Sequence, residues 1–179
     1  MIPPTITTER LVLRPFRTED AQALTAILEQ DGVLKYFPSS GEPPTIEKTQ
    51  RFIARQQRGW EEMDYAWWAV EERSSGDLLG WSGLQYLPET DETEIGYLLR
   101  VESWGRGLAT EGAIEGIRFG FETAGLAEII GLAHPENVAS RRVLEKIGMA
   151  FDKETEYFEM AVARYALRRE AYDLARQST

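Results

Sequence analysis

The sequence predicts an α+β fold of the α/β three-layer type, in which helices pack on a sheet. Three strand-like segments, residues 66–71, 78–86 and 93–99, follow one another with only turns between them, which favours an antiparallel meander. A helix-like segment then separates residues 93–99 from a further apolar strand at residues 129–133. A meander followed by a strand, helix, strand unit is typical of mixed three-layer folds.

The elements before the meander follow from caps and spacing. Residues 11–13 (Leu-Val-Leu) predict a first strand. Thr18 can cap a helix that Gly32 is expected to close. Residues 38–44 are rich in Ser, Gly and Pro and predict a loop, after which Thr45 can cap a second helix. The apolar positions of the first helix recur at helical spacing: Ala21, Leu24, Ile27 and Leu28.

The elements after the meander are predicted in the same way. Gly125 is expected to end the helix that follows the third strand, and Tyr165 to belong to a last strand that leads into a charged helix. No repeat, linker or low-complexity tract is visible, so residues 1–179 are expected to form one domain. The crossover helix is expected to turn one apolar stripe to the sheet: Thr110, Ile114, Ile117 and Phe121.

Composition excludes several classes of function. The formal net charge is -10 and the sequence pI about 4.7, which argues against general nucleic-acid binding, since that needs a basic surface. An acidic surface suits a cationic amine or a basic protein tail as partner, or it only keeps the chain soluble. With no cysteine, the chain has no disulfide, no thiolate metal site and no route through an acetyl-cysteine intermediate.

Location and metal binding are predicted from what the sequence lacks. No basic-then-apolar signal opens the chain, and no apolar run approaches the about 20 residues that a membrane span needs. The protein is therefore expected to be soluble and cytoplasmic, without a membrane partner. No metal-ligand spacing is visible, so no metal is expected.

The segment Ser-Trp-Gly-Arg-Gly-Leu-Ala-Thr-Glu-Gly at residues 103–112 indicates a phosphate cradle. Gly105 and Gly107 allow close backbone approach, and the helix that follows presents unpaired N–H groups to an anion. A Walker A loop is excluded because Ala113 stands where it needs lysine, and a dinucleotide fingerprint because Thr110 replaces its third glycine. The sequence therefore predicts a diphosphate-bearing ligand of another class.

A second cluster, His-Pro-Glu-Asn-Val-Ala-Ser-Arg-Arg-Val-Leu-Glu-Lys-Ile-Gly-Met at residues 134–149, follows an apolar strand. Together the two clusters resemble the GNAT N-acetyltransferase superfamily. The first resembles its acyl-CoA pyrophosphate loop, and the second its Asn-x-x-Ser helix ending in Lys-x-Gly-Phe or Met. Residues 8–16 (Thr-Glu-Arg-Leu-Val-Leu-Arg-Pro-Phe) are similar to the branch of ribosomal-protein-alanine acetyltransferases, RimJ/RimL-like, so the resemblance covers nearly the whole chain.

The resemblance implies an acyl-CoA N-acyltransferase fold with a mixed, mostly antiparallel sheet of about seven strands and about four flanking helices. It implies transfer of the acetyl group of acetyl-CoA to a primary amine, of a protein N-terminus or a small molecule, by direct attack in a ternary complex. Trp104 departs from the Arg or Gln of the family loop, and Arg106 is expected to supply the positive charge instead. The implied acetyl-CoA contacts are Leu99, Gly105, Arg106, Gly107, Leu108, Ala109, Thr110, Asn137 and Ser140.

Ser140 and Asn137 each allow two interpretations. Ser140 shares a helix face with Val143 and Ile147 and therefore points inward, where its hydroxyl needs a partner. That partner is a carbonyl one turn earlier, or the sulfur of CoA, which Ser140 could protonate as it departs. Asn137 either caps the first turn of its helix or contacts the pantetheine arm, and both roles are compatible.

Glu94 is the candidate general base. An amine must be neutral to attack a thioester, and a carboxylate acting through water assists its deprotonation. Glu94 lies on the strand that leads to the cradle and shares a face with Gly96, where a substrate could approach; the alternative is an exposed strand glutamate. Backbone N–H groups of residues 98–100 are expected to stabilise the oxyanion. Weaker candidates for the base are Glu71, Glu156 and Glu159.

Other polar and aromatic residues receive structural interpretations. His134 is the only histidine and has no acid or thiol partner within sequence reach, so it is expected to be structural. Arg141 and Arg142 could meet the adenosine 3′-phosphate, although solvated arginines are commoner. One aromatic set could bind an acceptor, but its spacing favours the core or a homodimer surface: Trp60, Tyr65, Trp67 and Trp68.

Two alternative functions remain at this point. One is a non-catalytic domain that binds or senses acyl-CoA and has lost turnover. The other is a structural or partner-binding module with no CoA affinity, which the intact glycine loop disfavours. Acceptor specificity is expected to reside around residues 39–44, in the second helix and in the final strands, where no motif identifies the amine.

Overall fold

The computed structural model describes residues 2–38 and 42–177, which contain one eight-stranded sheet and five α-helices. The strands are β1 (Ile6–Thr7), β2 (Leu11–Arg14), β3 (Trp67–Glu72), β4 (Leu78–Leu87), β5 (Glu92–Leu99), β6 (Glu128–Ala133), β7 (Ala150–Tyr157) and β8 (Met160–Arg168). The helices are α1 (Ala21–Leu28), α2 (Ile46–Glu62), α3 (Leu108–Glu122), α4 (Val138–Lys146) and α5 (Arg169–Gln177).

The strands lie in the order β1-β2-β3-β4-β5-β6-β8-β7, and every neighbouring pair is antiparallel except β5 and β6. The predicted meander is β3-β4-β5, and the predicted crossover is α3, which joins the parallel pair. The α+β prediction is therefore confirmed. The described residues hold eight strands and five helices where about seven and about four were expected, and the two-residue edge strand β1 had no periodic signal to reveal it.

Two hydrophobic clusters cover opposite faces of the sheet. Trp68 lies in the cluster that includes Ile117 of α3, whereas Trp67 lies in the cluster that includes Leu24 of α1 and Ile53 of α2. Consecutive strand residues point to opposite faces, so α3 covers one face and α1 with α2 cover the other. The sheet is thus the middle of three layers, and its strand ends are accessible from both sides.

The face that α3 turns to the sheet differs from the predicted stripe. Ile117 and Phe121 are buried as expected, but Ile114 is 46% exposed. A Cβ on Gly116 would stand only 2.5 Å from Ile95 Cδ1, so the helix packs on the sheet through a row of glycines that allows this close approach. The row has helical spacing: Gly112, Gly116 and Gly120.

The prediction that Thr18 caps the first helix was wrong. A 3-10 turn, Thr18–Asp20, precedes α1, and the Asp20 carboxylate accepts the Arg17 N–H at 2.7 Å. A hydrogen bond from a backbone N–H to a charged carboxylate is stronger than one to a neutral hydroxyl group. The prediction for α2 was correct, because the Thr45 hydroxyl accepts a backbone N–H of the first turn.

The described residues contain neither a membrane-spanning helix nor a candidate metal-binding group. None of their helices combines the length and the apolar character that crossing a bilayer requires. Residues 2–38 and 42–177 also contain no group of three or more histidine, aspartate or glutamate side chains placed to hold a metal ion.

Candidate active site

The parallel strands β5 and β6 diverge after a single registered pair, Glu94 with Ile130. Arg100 N–H donates to the Leu79 carbonyl of β4. Because backbone groups alternate in direction along a strand, the N–H groups of Tyr97 and Leu99 point away from β4, into the space between β5 and β6. This space, hereafter the fork, exposes a strand edge that can donate to a ligand.

A glycine-containing turn connects the open end of the fork to α3. Gly105 and Gly107 have φ of 71° and 78°, a left-handed conformation that residues with a Cβ adopt at a cost. Gly107 is the N-cap of α3 and supplies no side chain to the helix. The first N–H groups, on Leu108, Ala109 and Thr110, therefore present unpaired donors and the positive end of the helix dipole to an anion.

A substitution at Gly107 tests the cradle. Gly107→Ala is expected to weaken acetyl-CoA binding about tenfold, because left-handed backbone costs an alanine about 1–2 kcal/mol and the turn relaxes away from its ligand-binding shape. Gly125→Ala is the matched control, since Gly125 has φ of 72° and no atom within 4 Å of its Cβ position, but lies beyond the other end of α3. Calorimetric titration with acetyl-CoA should show a larger Kd only for Gly107→Ala. Equal Kd values for the two variants would contradict the cradle.

The charges around the turn differ from the predicted arrangement. Arg106, which was expected to supply a positive charge, pairs with Glu72 at 2.7 Å, and its hydrogen bond lowers the pKa of that carboxyl group. Arg10 donates to the Arg106 carbonyl at 2.7 Å, and its Nη2 atom lies 3.6 Å from the Cβ position of Gly107. Arg10 is itself paired with Glu111 at 2.7 Å, so neither guanidinium is an unpaired charge, and Arg10 supports the turn.

Trp104 has a structural role in the cradle. Its indole Nε1 donates to the Leu99 carbonyl at 2.7 Å, and its ring edge lies 3.7 Å from the Cβ position of Gly32 after α1. The side chain is nevertheless 51% exposed. The Leu99 carbonyl is thus already occupied, which leaves the Leu99 N–H as the group that this residue offers to the fork.

Glu94 lies at the start of the fork, on the sheet face that α1 and α2 cover. Burial raises the pKa of its carboxyl group to about 8, although part of the side chain still contacts solvent. No described residue donates a hydrogen bond to it. Its cross-strand partner Gln85 has a buried Oε1 atom that accepts no hydrogen bond from the described residues, so neither this oxygen nor the Glu94 carboxyl group has a donor in that part of the chain.

The surface next to Glu94 is aromatic. Gly96 lies on the same face, and a Cβ there would stand 2.9 Å from the indole Nε1 of Trp67. Trp67 stacks on Trp81 with ring centres 5.5 Å apart, and Phe52 of α2 covers both rings. Phe52 thus brings α2, one of the elements expected to set acceptor specificity, against this face of the sheet; residues 39–41 of the expected loop lie outside the described residues.

Ser140 faces the fork from α4, with a partner that neither sequence interpretation included. Its Oγ atom lies 3.0 Å from the hydroxyl oxygen of Tyr97, which also donates to the Ser140 carbonyl at 2.9 Å. Asn137 caps α4, because its side-chain oxygen accepts the Ser140 N–H at 3.1 Å. The amide nitrogen of Asn137 remains for another contact, so capping and ligand binding are compatible.

The weaker candidates for the base lie elsewhere. Glu71 accepts a hydrogen bond from Arg14 Nε and forms an ion pair with the same guanidinium group. Glu156 belongs to β7, the outermost strand, and Glu159 to the β7–β8 turn. The fold thus places only Glu94, among the four proposed carboxylates, at the first registered pair of β5 and β6.

The remaining predicted residues are explained by local contacts. The ring of His134 stacks on Tyr36, and its Nδ1 atom accepts the Glu136 N–H. Arg141 donates to the Tyr165 hydroxyl and to a backbone carbonyl, so it supports α4, whereas Arg142 is exposed. The aromatic set proposed for an acceptor or a dimer surface is buried in the core: Trp60, Tyr65, Trp67 and Trp68.

The chain is similar to known proteins over most of its length. The family model described as "Acetyltransferase (GNAT) domain" matches residues 10–150. The uncharacterized N-acetyltransferase YoaA of Bacillus subtilis is 32% identical over 84% of this chain and 84% of its own length. The FsC-acetyl coenzyme A-N(2)-transacetylase of Aspergillus fumigatus is 34% identical over 55% of this chain and 49% of its own length.

A solved structure shows the same fold. Mycobacterium smegmatis RimJ in complex with CoA-disulfide superimposes with a TM-score of 0.81 and 20% identity, across 99% of this chain and 98% of that chain. At this level of identity the likeness concerns the architecture of the sheet and its helices.

Proposed function

The chain belongs to the GNAT acetyltransferase family, and on that premise we propose that it transfers the acetyl group of acetyl-CoA to a primary amine. The observation that carries this proposal is the fork, because an open strand edge, an uncapped helix N-terminus and the carboxyl group of Glu94 converge on it. The donor is further supported by the Aspergillus relative, whose name specifies acetyl coenzyme A.

The cradle fits the pyrophosphate of acetyl-CoA. The Leu108, Ala109 and Thr110 N–H groups receive no side-chain cap, and the Arg10 guanidinium, which is paired with Glu111, lies beside Gly107. When bound, acetyl-CoA supplies a thioester whose carbonyl carbon is open to an amine. The Tyr97 and Leu99 N–H groups of the fork bind and orient that end of the donor.

Glu94 prepares the acceptor. An ammonium group cannot attack a carbonyl carbon, so the amine must first lose a proton, which Glu94 takes directly or through water. A carboxylate with a pKa of about 8 is a much stronger base than an ordinary glutamate. Burial of the carboxyl group is the cause of that basicity.

Ser140 acts on the leaving sulfur. The strand-edge N–H groups stabilise the oxygen that becomes negative as the amine adds. The carbon–sulfur bond then breaks with its electron pair on sulfur, and Ser140 gives that sulfur its hydroxyl hydrogen. The second proton of the attacking nitrogen restores Ser140 through water, so every proton is accounted for. No acetyl-enzyme intermediate is needed, which agrees with the absence of cysteine from the sequence.

We place the chain in the RimJ/RimL-like branch, acting on the amine of a protein N-terminus or a small molecule. The support is the similarity of residues 8–16 and the fold shared with Mycobacterium smegmatis RimJ. Trp104 stands where the family loop has Arg or Gln, and its hydrogen bond to the Leu99 carbonyl gives the tryptophan a structural role.

A thiol-release assay tests the proposal. Acetyl-CoA is offered with a panel of small amines and of peptides with free N-termini, beside calorimetric titration with acetyl-CoA alone. Turnover with one acceptor class and a micromolar Kd are the expected results. Binding without turnover across the panel would favour the non-catalytic sensing domain, and no binding would overturn the cradle and the function with it.

A further inference from the structure

We propose that Tyr97 is a positioning residue for the Ser140 hydroxyl, and that its own hydrogen bond switches when the donor sulfur departs. The inference rests on the proposed function of the fork. Tyr97 comes from β5 and Ser140 from α4, so the contact joins one strand of the fork to the helix that follows its other strand, β6. The sequence gives no sign of it, because 43 positions separate the two residues.

The hydroxyl hydrogens of this pair allow two arrangements. In the first, Tyr97 donates its one hydroxyl hydrogen to the Ser140 carbonyl at 2.9 Å. The hydroxyl contact at 3.0 Å, in which either atom can donate, then runs from Ser140 Oγ–H to the Tyr97 oxygen. In this arrangement the Ser140 hydrogen is directed to Tyr97, and Ser140 cannot donate to a sulfur atom.

A second arrangement uses the same atoms. If the Tyr97 hydroxyl rotates so that its hydrogen points at Ser140 Oγ, the Ser140 hydrogen is free for the sulfur. The Ser140 carbonyl then loses the hydrogen bond from Tyr97. It keeps the helical hydrogen bond from the N–H group four residues later, so it is not left unpaired. Because a carbonyl oxygen has two lone pairs, both arrangements satisfy it.

Tyr97 keeps its proton throughout. Burial is the main cause that raises the pKa of its hydroxyl, and the negative charge of Glu94 raises it further. Tyr97 therefore donates a hydrogen bond to Ser140 Oγ while the Ser140 hydrogen is on the sulfur, and it forms no phenolate. Ser140 thus contacts the sulfur, and Tyr97 orients the hydroxyl hydrogen of Ser140.

Tyr97→Phe tests the proposal, because phenylalanine keeps the ring and removes only the hydroxyl group. We expect kcat to fall about tenfold while the Kd for acetyl-CoA and the KM for the acceptor change less than twofold. Tyr86→Phe is the matched control, since Tyr86 of β4 also loses one hydroxyl hydrogen bond, to Asp91 of the β4–β5 turn. The control should retain the wild-type kcat, and a loss as large as that of Tyr97→Phe would contradict the proposal.

A double-mutant cycle separates positioning from general structural support. In a Ser140→Ala background, Tyr97→Phe should cause no further loss of kcat, because Tyr97 acts through Ser140. Independent, multiplicative losses would overturn the proposal, as would a wild-type kcat for Tyr97→Phe. Turnover by the wild-type protein in the same assay tests the proposed function separately. Lack of acetyl-CoA binding in the wild type would defeat that function, whereas an unchanged Tyr97→Phe would defeat only this role.

Discussion

Glu94→Gln is expected to lower kcat/KM at pH 8 by about 100-fold, with little change in the Kd for acetyl-CoA. Glutamine has the size of the glutamate side chain but cannot accept a proton at this pH, and a positioned general base typically contributes 10²–10⁴-fold. Because the Glu94 side chain accepts no hydrogen bond from the described residues, the substitution removes none. Steady-state kinetics with the acceptor found in the amine panel measures the effect.

The pH profile gives this prediction its sharpest form. The pKa of Glu94 is about 8, so in the free enzyme the carboxylate forms as pH rises from 7 to 9. Wild-type kcat/KM should therefore rise over this window, and the rise due to Glu94 should be missing from Glu94→Gln. Ionisation of the acceptor is common to both proteins, so the ratio of the two profiles isolates Glu94. A ratio that does not vary with pH would contradict its role as base.

The same pKa predicts the pH dependence of stability. Between about pH 4.5 and 8 the unfolded chain has lost the Glu94 proton while the folded protein keeps it. The unfolded state then binds fewer protons, so the free energy of unfolding falls as pH rises through this window. Glu94→Gln should remove that part of the slope in denaturant titrations. Glu89→Gln is the control for both measurements, because Glu89 is exposed in the β4–β5 turn.

The conformation of the glycine turn was predictable from the sequence because its causes are local. Gly105 and Gly107 have positive φ, and this requirement is met by glycine wherever the chain turns in that way. The meander and the Thr45 cap were predictable for the same reason, since turn residues, alternation and caps act over a few positions. The failures also have physical causes: Ile114 was assigned to the sheet face because a glycine row carries no hydrophobic signal.

The contacts that complete the site depend on tertiary structure. Arg10 reaches the cradle from a position 96 residues before Arg106, and Tyr97 reaches Ser140 across the fork. Both require the strand order and the position of α4, which no local pattern specifies. The ion pair of Arg106 was not predictable because its partner Glu72 lies on a distant strand, β3. Local patterns thus predict the glycine turn but not the contacts that surround it.

Arg14→Met is expected to destabilise the protein by about 3–5 kcal/mol, which is the typical cost of removing one partner of a buried ion pair. Arg14 is 5% exposed and Asp20 8%, and two hydrogen bonds of 2.7 and 2.8 Å join them. The substitution leaves the Asp20 charge buried without its counter-ion. Arg118→Met is the control, because Arg118 is 52% exposed and pairs with Glu115 on the helix surface, where such pairs contribute about 0–1 kcal/mol.

The pH dependence distinguishes a lost charge pair from lost packing at Arg14. Burial alone would raise the pKa of Asp20, but hydrogen bonds from Arg14 and the Arg17 N–H lower it below its usual value. The pair therefore stabilises the wild type above the unfolded pKa of about 3.9, and this contribution is lost as pH falls through the lower folded value. Without Arg14, burial raises the pKa of Asp20, so the carboxyl group takes up a proton at higher pH and the penalty disappears. Denaturant titrations should show the difference between Arg14→Met and wild type narrowing from pH 7 to pH 4, and a constant difference would indicate that only packing was lost.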